Sequence, residues 1–238
     1  MRTRDPVGSL LMVLPLLIAH VVLAARSPGG ATSDLIAYAW IARAAEAVGL
    51  APLVAAPVLV LGVLIGLAAL WRDSRDPIQN RFDLKVVPLA WIEGVGWAIP
   101  LLILAVVMAA STSISPLQAG GEAASSSGAV IAERALAAGL YEELIFRAMM
   151  IGLPLALFFR SESRAFVPVR AALVIGSSVL FAWTHLPESP EGRDVASLAF
   201  VLLAGGLLAF IFCLRGFGVA VVAHSVYDWA AFSLTSGS

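Results

Sequence analysis

The chain has few charged residues and a single cysteine. Asp, Glu, Lys and Arg make up 13% of its 238 residues, whereas 60% are hydrophobic and the mean hydropathy is +0.94. A soluble domain of this length needs a polar surface that so few charged side chains do not provide. The lone Cys213 excludes an internal disulfide framework and a thiolate metal cluster, and the net charge of -1 argues against a nucleic-acid partner. The composition therefore indicates an integral membrane protein.

Apolar segments long enough to cross a bilayer, which takes about 20 residues, recur along the chain. There are seven of them, at residues 7–25, 52–71, 86–109, 130–159, 168–186, 195–214 and 216–234. Residues 34–50 contain Arg43 and Glu46, so we expect a helix that lies at the membrane interface or half-buried, with an eighth span as the alternative. The sequence thus predicts an all-α, polytopic transmembrane bundle of seven to eight helices.

The positive charges fall mainly on one side of the predicted spans. With a cytoplasmic N-terminus, only Arg26 and Arg193 lie in outer loops. The inner side holds Arg2, Arg4, Arg72, Arg75, Arg81, Lys85, Arg160, Arg164, Arg170 and Arg215. Because cytoplasmic loops are enriched in Lys and Arg, we predict a multi-pass protein of the plasma membrane with its N-terminus in the cytoplasm. Residues 111–128, rich in Ser, Gly and Ala, are expected to form a flexible loop outside the bilayer.

The predicted helix at residues 130–159 carries Glu142, Glu143 and Arg147 at its centre. Each charge costs about 2.5–3.5 kcal/mol on membrane insertion, so such residues normally face the bundle interior and mark a functional site. Glu143 and Arg147 are four positions apart, with the acid first, which favours an ion pair. Glu142 points about 100° away and has no cation three or four positions from it on its own helix. A pair that fixes helix register, or a transporter's ion site, is the alternative to catalysis.

Two later segments each carry a histidine among apolar residues. His185 lies near the end of the fifth segment, and His224 lies four positions before Asp228 in the seventh, so these two share a helix face. His20 has no polar neighbour along the chain and is expected to make an interhelical hydrogen bond. Acids and imidazoles on three helices can activate water, bind a metal ion or relay protons.

Three short motifs follow one another on successive predicted helices. They are Glu142-Glu143-x-x-x-Arg147, Phe181-x-x-x-His185 and His224-x-x-x-Asp228. Together and in this order they resemble the CPBP family of intramembrane endopeptidases, which includes the type II CAAX prenyl protease and bacteriocin-processing and self-immunity proteins. The resemblance implies a catalytic core at residues 130–235, preceded by residues 1–129, which carry no motif.

The resemblance also implies a role for each residue of the first two motifs. Glu142 would activate the attacking water, and His185 would assist it. Glu143 and Arg147 would hold the first motif in shape.

The third motif departs from the family pattern at its last position. His224 and the residue four positions on would stabilise the tetrahedral oxyanion. That residue is commonly Asn in the family and is Asp228 here. Since an ionised carboxylate repels an oxyanion, Asp228 would have to be protonated, or would orient His224 instead.

Two mechanisms are compatible with these residue types. In the mechanism that the resemblance implies, no cofactor is needed and Glu142 deprotonates water. In the other, His185, His224 and Glu142 bind zinc, which leaves a water molecule in an open coordination position. The sequence contains no compact zinc motif such as HExxH.

The predicted function is an intramembrane endopeptidase that cleaves membrane-embedded or lipidated peptides and proteins, of which prenylated CAAX substrates are one class. The alternatives are a membrane transporter that uses the buried Glu/His cluster, or a non-cleaving peptide-binding or immunity protein. The side on which the site opens stays undecided, because His185 lies near the outer end of its segment while Glu142 and His224 lie nearer the middle of theirs.

Overall fold

A computed structural model describes residues 6–26, 35–47, 49–73, 85–111, 127–158, 166–186 and 195–235. These residues form eight helices and no strand. The helices are α1 (Pro6–Arg26), α2 (Ile36–Ala47), α3 (Pro52–Asp73), α4 (Val86–Ser111), α5 (residues 128–158), α6 (Phe166–Thr184), α7 (Val195–Arg215) and α8 (Phe217–Thr235). The predicted all-α bundle is confirmed, and each of the seven apolar segments is a helix whose bounds lie within a few residues of the prediction.

Five of these helices are long and apolar enough to cross a membrane. The qualifying stretches are Val7–Arg26, Val86–Ala109, Phe166–Thr184, Val195–Arg215 and Phe217–Leu234. On α3 the apolar stretch described is the shorter Ala56–Gly66, and α5 carries the charged residues. The chain is therefore an integral, multi-pass membrane protein, and the spans predicted for α3 and α5 stay predictions.

Residues 34–50 contain the short helix α2, which is half-buried as expected. It buries Ala37, Ile41 and Ala45 on one face and packs on α3 and α5. Its 12 residues are about 18 Å long, less than the hydrocarbon thickness, so α2 is too short to form an eighth span by itself.

Several predictions concern residues outside the described ranges. They include most of the loop at 111–128 and the cations Arg2, Arg4, Arg75, Arg81, Arg160, Arg164 and Arg193. The predicted orientation depends on these cations and is still a prediction.

The central helix α5 changes its winding along its length. It is α-helical over Gly128–Ala137 and Leu153–Phe158, with π-helical turns over Ala138–Glu142 and Leu144–Gly152 between them. In π-helical turns the main-chain hydrogen bonds span five residues rather than four. Such turns are rare in proteins, and those that occur are often found at functional sites. The predicted first motif lies inside this loosely wound stretch.

Helix α8 lies between α4 and α5 in the middle of the bundle. All of its residues from 217 to 225 are buried. A Cβ atom at Gly139 of α5 would overlap Ser225 Oγ, and one at Gly94 of α4 would lie 2.7 Å from Val222 Cβ. These two glycines therefore set how closely α4 and α5 approach α8.

Glu93 of α4 forms an ion pair with Arg215 at the end of α7. The indole Nε1 of Trp97 also donates a hydrogen bond to Glu93, over 3.3 Å. The two charged side chains are each 23% exposed, which suits a position near the membrane surface. Glu93 thus joins two helices and takes no part in the cluster described next.

Candidate active site

Glu143 lies at the centre of a fully buried set of charges between α5 and α8. Its Oε1 atom lies 3.0 Å from Arg147 NH1 and 2.8 Å from His224 Nδ1. Glu143 and Arg147 have no exposed side-chain surface. Because a buried charge is costly unless it is paired and hydrogen-bonded, this arrangement neutralises Glu143 from two sides. The predicted pair of Glu143 and Arg147 is present, and His224 is an additional partner.

Arg147 also connects α5 to α6 and α7. Its NH2 group donates a hydrogen bond to the main-chain oxygen of Gly205, over 3.0 Å. Its guanidinium lies over the ring of Phe181, 4.5 Å from the ring centre, at a distance typical of a cation–π interaction. A Cβ atom at Gly205 would lie 2.9 Å from Phe181 Cδ1, so glycine is needed for this close packing.

The ring of Phe181 contacts both histidines of the cluster. Its centre lies 4.5 Å from that of His185 and 6.0 Å from that of His224. It also meets Phe146 edge-on, with the ring centres 5.3 Å apart. Phe181, the first residue of the second motif, therefore fixes the apolar wall against which the imidazoles pack.

His185 lies in the turn that follows α6. The helix ends at Thr184, two residues before the end of the predicted segment at residue 186. Nδ1 of His185 lies 2.8 Å from the main-chain oxygen of Phe181. Since a carbonyl only accepts, Nδ1 carries the proton, and Nε2 of the neutral ring is left as an acceptor. The side chain is 25% exposed, which makes it the most accessible ring of the cluster.

Glu142 faces the two imidazoles rather than a cation on its own helix. Its Oε2 atom lies 3.7 Å from His185 Nε2 and 3.8 Å from His224 Nε2. Both distances exceed a hydrogen bond, and Oε2 is buried without a hydrogen-bond partner in the part of the chain that the structure describes. This unpaired carboxylate oxygen, close to an open end of the cluster at His185, is suited to hold a water molecule.

Asp228 approaches the same ring nitrogen of His224 as Glu142 does. Its Oδ2 atom is 3.4 Å from His224 Nε2, and its side chain is 12% exposed. His224 therefore has Glu143 at Nδ1 and two carboxylates, those of Asp228 and Glu142, near Nε2.

The structure thus brings all six residues predicted for the site into one cluster formed by α5, α8 and the turn after α6. Their catalytic roles remain predictions.

This cluster contains His185, His224 and Glu142, the three residues of the zinc alternative. His185 and His224 each hydrogen-bond through Nδ1, as metal-binding histidines do, and present Nε2 toward Glu142. Among the described residues, however, no group of three or more His, Cys, Asp or Glu side chains is arranged closely enough to hold a metal ion. The types of side chain are those that bind zinc, but the distances between them are too long for a zinc site.

Two residues near the cluster were not predicted from the sequence. Arg134, eight positions before Glu142, lies with its guanidinium over Phe232, 5.3 Å from the ring centre, and attracts Asp228. Ser177 Oγ donates to the main-chain oxygen of Phe146, over 2.6 Å, within the π-helical part of α5. Arg134 had a signal in the sequence, a cation within a predicted span, whereas nothing in the sequence distinguishes Ser177 from a packing residue.

Comparison with known proteins connects this cluster to one family. The family model described as type II CAAX prenyl endopeptidase Rce1-like matches residues 125–230, which contain all three motifs. No curated protein and no solved structure matches the chain.

Proposed function

We propose that this chain, whose residues 125–230 belong to the type II CAAX prenyl endopeptidase Rce1-like family, hydrolyses peptide bonds with a water molecule activated by Glu142. Membership indicates an intramembrane endopeptidase and does not favour a transporter. The observation that carries the mechanism is the buried Oε2 atom of Glu142, which has no hydrogen-bond partner and faces His185 and His224.

The attacking water binds between Glu142 and His185 in this mechanism. The two acceptor atoms, Oε2 and Nε2, are 3.7 Å apart, so one water molecule to their side reaches both at hydrogen-bonding distance. Glu142 takes a proton from this water as the oxygen attacks the scissile carbonyl carbon. When the tetrahedral intermediate collapses and the C–N bond breaks, Glu142 returns the proton to the leaving amine.

His224 stabilises the negative oxygen of the tetrahedral intermediate. Its Nδ1–H donates to Glu143, and in this proposal the ring carries a second proton, on Nε2. That N–H is the donor to the oxyanion, and it is preorganised because Glu143 is itself fixed by Arg147. Asp228 is then a positioning residue for His224.

Substrate is proposed to reach the cluster from the end of the bundle at which α6 ends. His185, at that end, is 25% exposed, whereas the side chain of Glu142 is 5% exposed. A peptide held at the membrane surface by a lipid group or by its own apolar segment would enter from this end. The proposed substrates are therefore membrane-embedded or lipidated peptides and proteins, with prenylated peptides as the first to test. A plasma-membrane location and a cytoplasmic N-terminus remain part of the proposal.

The test compares peptide termini in membranes that contain the wild-type protein or the Glu142→Gln variant at equal abundance. Glu46→Gln is the matched control, because Glu46 is exposed on α2 and remote in sequence from the motifs. We expect new termini with the wild type and the control and none with Glu142→Gln. Termini that are unchanged by Glu142→Gln would contradict the proposal. A farnesylated and an unmodified peptide of one sequence, each added to proteoliposomes, then separate lipidated from unmodified substrates.

A further inference from the structure

A second group of buried polar side chains lies on the opposite side of α5, facing α1 and α2. Glu133 and Tyr141 of α5 are 0% exposed, and His20 of α1 is 2% exposed. The rings of His20 and Tyr38 each lie 5.3 Å from that of Tyr141. None of these four residues belongs to the motifs of the candidate active site.

Four polar atoms of Glu133, Tyr141 and His20 have no hydrogen-bond partner among the described residues. These atoms are both carboxylate oxygens of Glu133, the Tyr141 hydroxyl and Nδ1 of His20, and all four are buried. The His20 ring also interacts with the Glu133 main chain through a hydrogen bond, which holds α1 against α5. A buried polar atom without a hydrogen bond lowers the stability of the folded state, and native structures contain few such atoms. The four atoms together therefore indicate a ligand-binding site.

The identity of the orphaned atoms limits the ligand. Three of the four, the two carboxylate oxygens and the imidazole nitrogen, accept hydrogen bonds, and one hydroxyl donates. Hard oxygen atoms of this kind bind small cations. A surplus of acceptors therefore favours a positively charged ligand over a neutral or an anionic one.

No side chain described in the structure supplies the missing positive charge. Arg134, the nearest cation in sequence, lies over Phe232 and toward Asp228, which places its charge on the active-site side of α5. Neither carboxylate oxygen of Glu133 has an ion-pair partner within the described ranges. Within a membrane, where a net charge is expensive, one carboxylate is balanced by one unit of positive charge.

We propose that Glu133, with Tyr141 and His20, forms a binding site for one monovalent metal cation. A monovalent ion leaves the site neutral, whereas a divalent ion leaves a net charge in a low-dielectric environment. The bound ion would fix α1 against α5 at Tyr141, the residue immediately before Glu142. This site is separate from the candidate active site and does not depend on the proposed function.

The experiment uses the full chain in lipid nanodiscs. Its thermal unfolding is recorded in sodium, potassium or choline chloride at constant ionic strength, with Glu133→Gln as the variant and the exposed Glu46→Gln as the matched control. We expect sodium or potassium to raise the Tm of the wild type and the control by several degrees, saturably, because a ligand that binds only the folded state stabilises it. The Tm of Glu133→Gln should not respond. Binding of radioactive ²²Na⁺ should saturate near one ion per chain. If the site prefers potassium, a lower concentration of potassium than of unlabelled sodium should displace the bound ²²Na⁺.

Three results would overturn the proposal. The first is an equal response of the wild type and Glu133→Gln to the salt. The second is stabilisation by calcium at concentrations where sodium and potassium have no effect, which contradicts the charge argument. The third is a Tm that rises only on acidification, and only in the wild type, because the Glu133 carboxyl is then balanced by a proton.

If Glu133→Gln does not fold, Tyr141→Phe provides the same test. It keeps the carboxylate and removes one oxygen ligand, so a roughly tenfold higher salt concentration should be needed for the same change in Tm. An unaltered concentration dependence in Tyr141→Phe would remove Tyr141 from the site and contradict the proposal as stated.

Discussion

Nδ1 of His224 lies 2.8 Å from Oε1 of Glu143, across 81 positions of sequence and between two helices. The same oxygen atom binds Arg147. Glu143 therefore joins the first motif to the third, and its neighbour Glu142 is left to face the imidazoles. Two adjacent acids of one helix have different surroundings, and so their substitutions should have different effects.

Glu142→Gln should abolish cleavage and leave the protein folded, because Glu142 holds no other helix in place. The loss expected for a general base is about 10²–10⁴-fold in kcat. Glu143→Gln should lower stability as well, because Arg147 and His224 then lose a buried counter-charge. Initial rates and Tm are measured on the same preparations of both variants. Equal losses of stability in the two would contradict this division of roles.

Arg147→Ala should destabilise the protein strongly. It leaves Glu143 buried with one partner fewer and removes the hydrogen bond to Gly205, a change that typically costs about 3–5 kcal/mol. Reversible unfolding in mixed micelles measures the free energy of unfolding. Arg147→Met combined with Glu143→Gln should recover part of the loss, because the unpaired charge is then absent. A double variant no more stable than Arg147→Ala would argue against a buried-charge effect.

Gly205→Ala should reduce both stability and activity, whereas Gly206→Ala should be close to neutral. The Cβ atom would lie 2.9 Å from Phe181 in the first variant, while the nearest atom in the second is Ser178 Oγ at 3.9 Å. Overpacking of this kind costs about 1–3 kcal/mol and would displace Phe181, which contacts His185. Unfolding and initial rates are compared between the two variants. Similar behaviour of both would show that the close contact at Phe181 does not matter.

Asp228→Asn should retain cleavage. The amide keeps an oxygen near His224 Nε2 and adds an N–H group that can donate to the oxyanion. Asp228→Leu should lose about 10²-fold or more in kcat, because His224 is then no longer oriented from that side. Loss of activity in Asp228→Asn to the level of Asp228→Leu would mean that the negative charge itself is required.

Cleavage by the proposed mechanism should survive metal chelation. Activity is measured after dialysis against 1,10-phenanthroline and again after zinc is added back. Rates that change by less than about twofold support activation of water by Glu142 without a metal ion. Activity that disappears on chelation and returns with zinc would favour the alternative in which His185, His224 and Glu142 bind the metal.

Hydrophobicity and helical spacing were sufficient to predict much of this arrangement. The helices follow from long apolar segments, and the pair of Glu143 and Arg147 follows from a spacing of four positions. The resemblance of the three motifs to the CPBP family is confirmed by the family match at residues 125–230. Residue spacing and the order of the motifs can be read from the sequence without knowing how the helices pack.

Tertiary packing determines what could not be predicted. The hydrogen bond of Arg147 to a main-chain oxygen of α7 depends on how closely Gly205 lets the helices approach. His20 was expected to make an interhelical hydrogen bond, and its interaction with the Glu133 main chain agrees with that. Its polar neighbours Glu133 and Tyr141 are distant in sequence, so their proximity gave no signal. The sequence also carries no mark of π-helical winding, since an apolar period is weak in a helix that is buried on most of its sides.

The winding of α5 makes the number of residues in the first motif as important as their identity. A π-helical turn holds one more residue per hydrogen-bonded ring than an α-helical turn, so the loss of a single residue would convert it to the commoner form. Every side chain beyond the deletion would then rotate about the helix axis. Glu143 would turn relative to Arg147, and His224 would no longer meet its carboxylate. Evolution of this segment is therefore expected to proceed by substitution, with insertions and deletions confined to the ends of the helix.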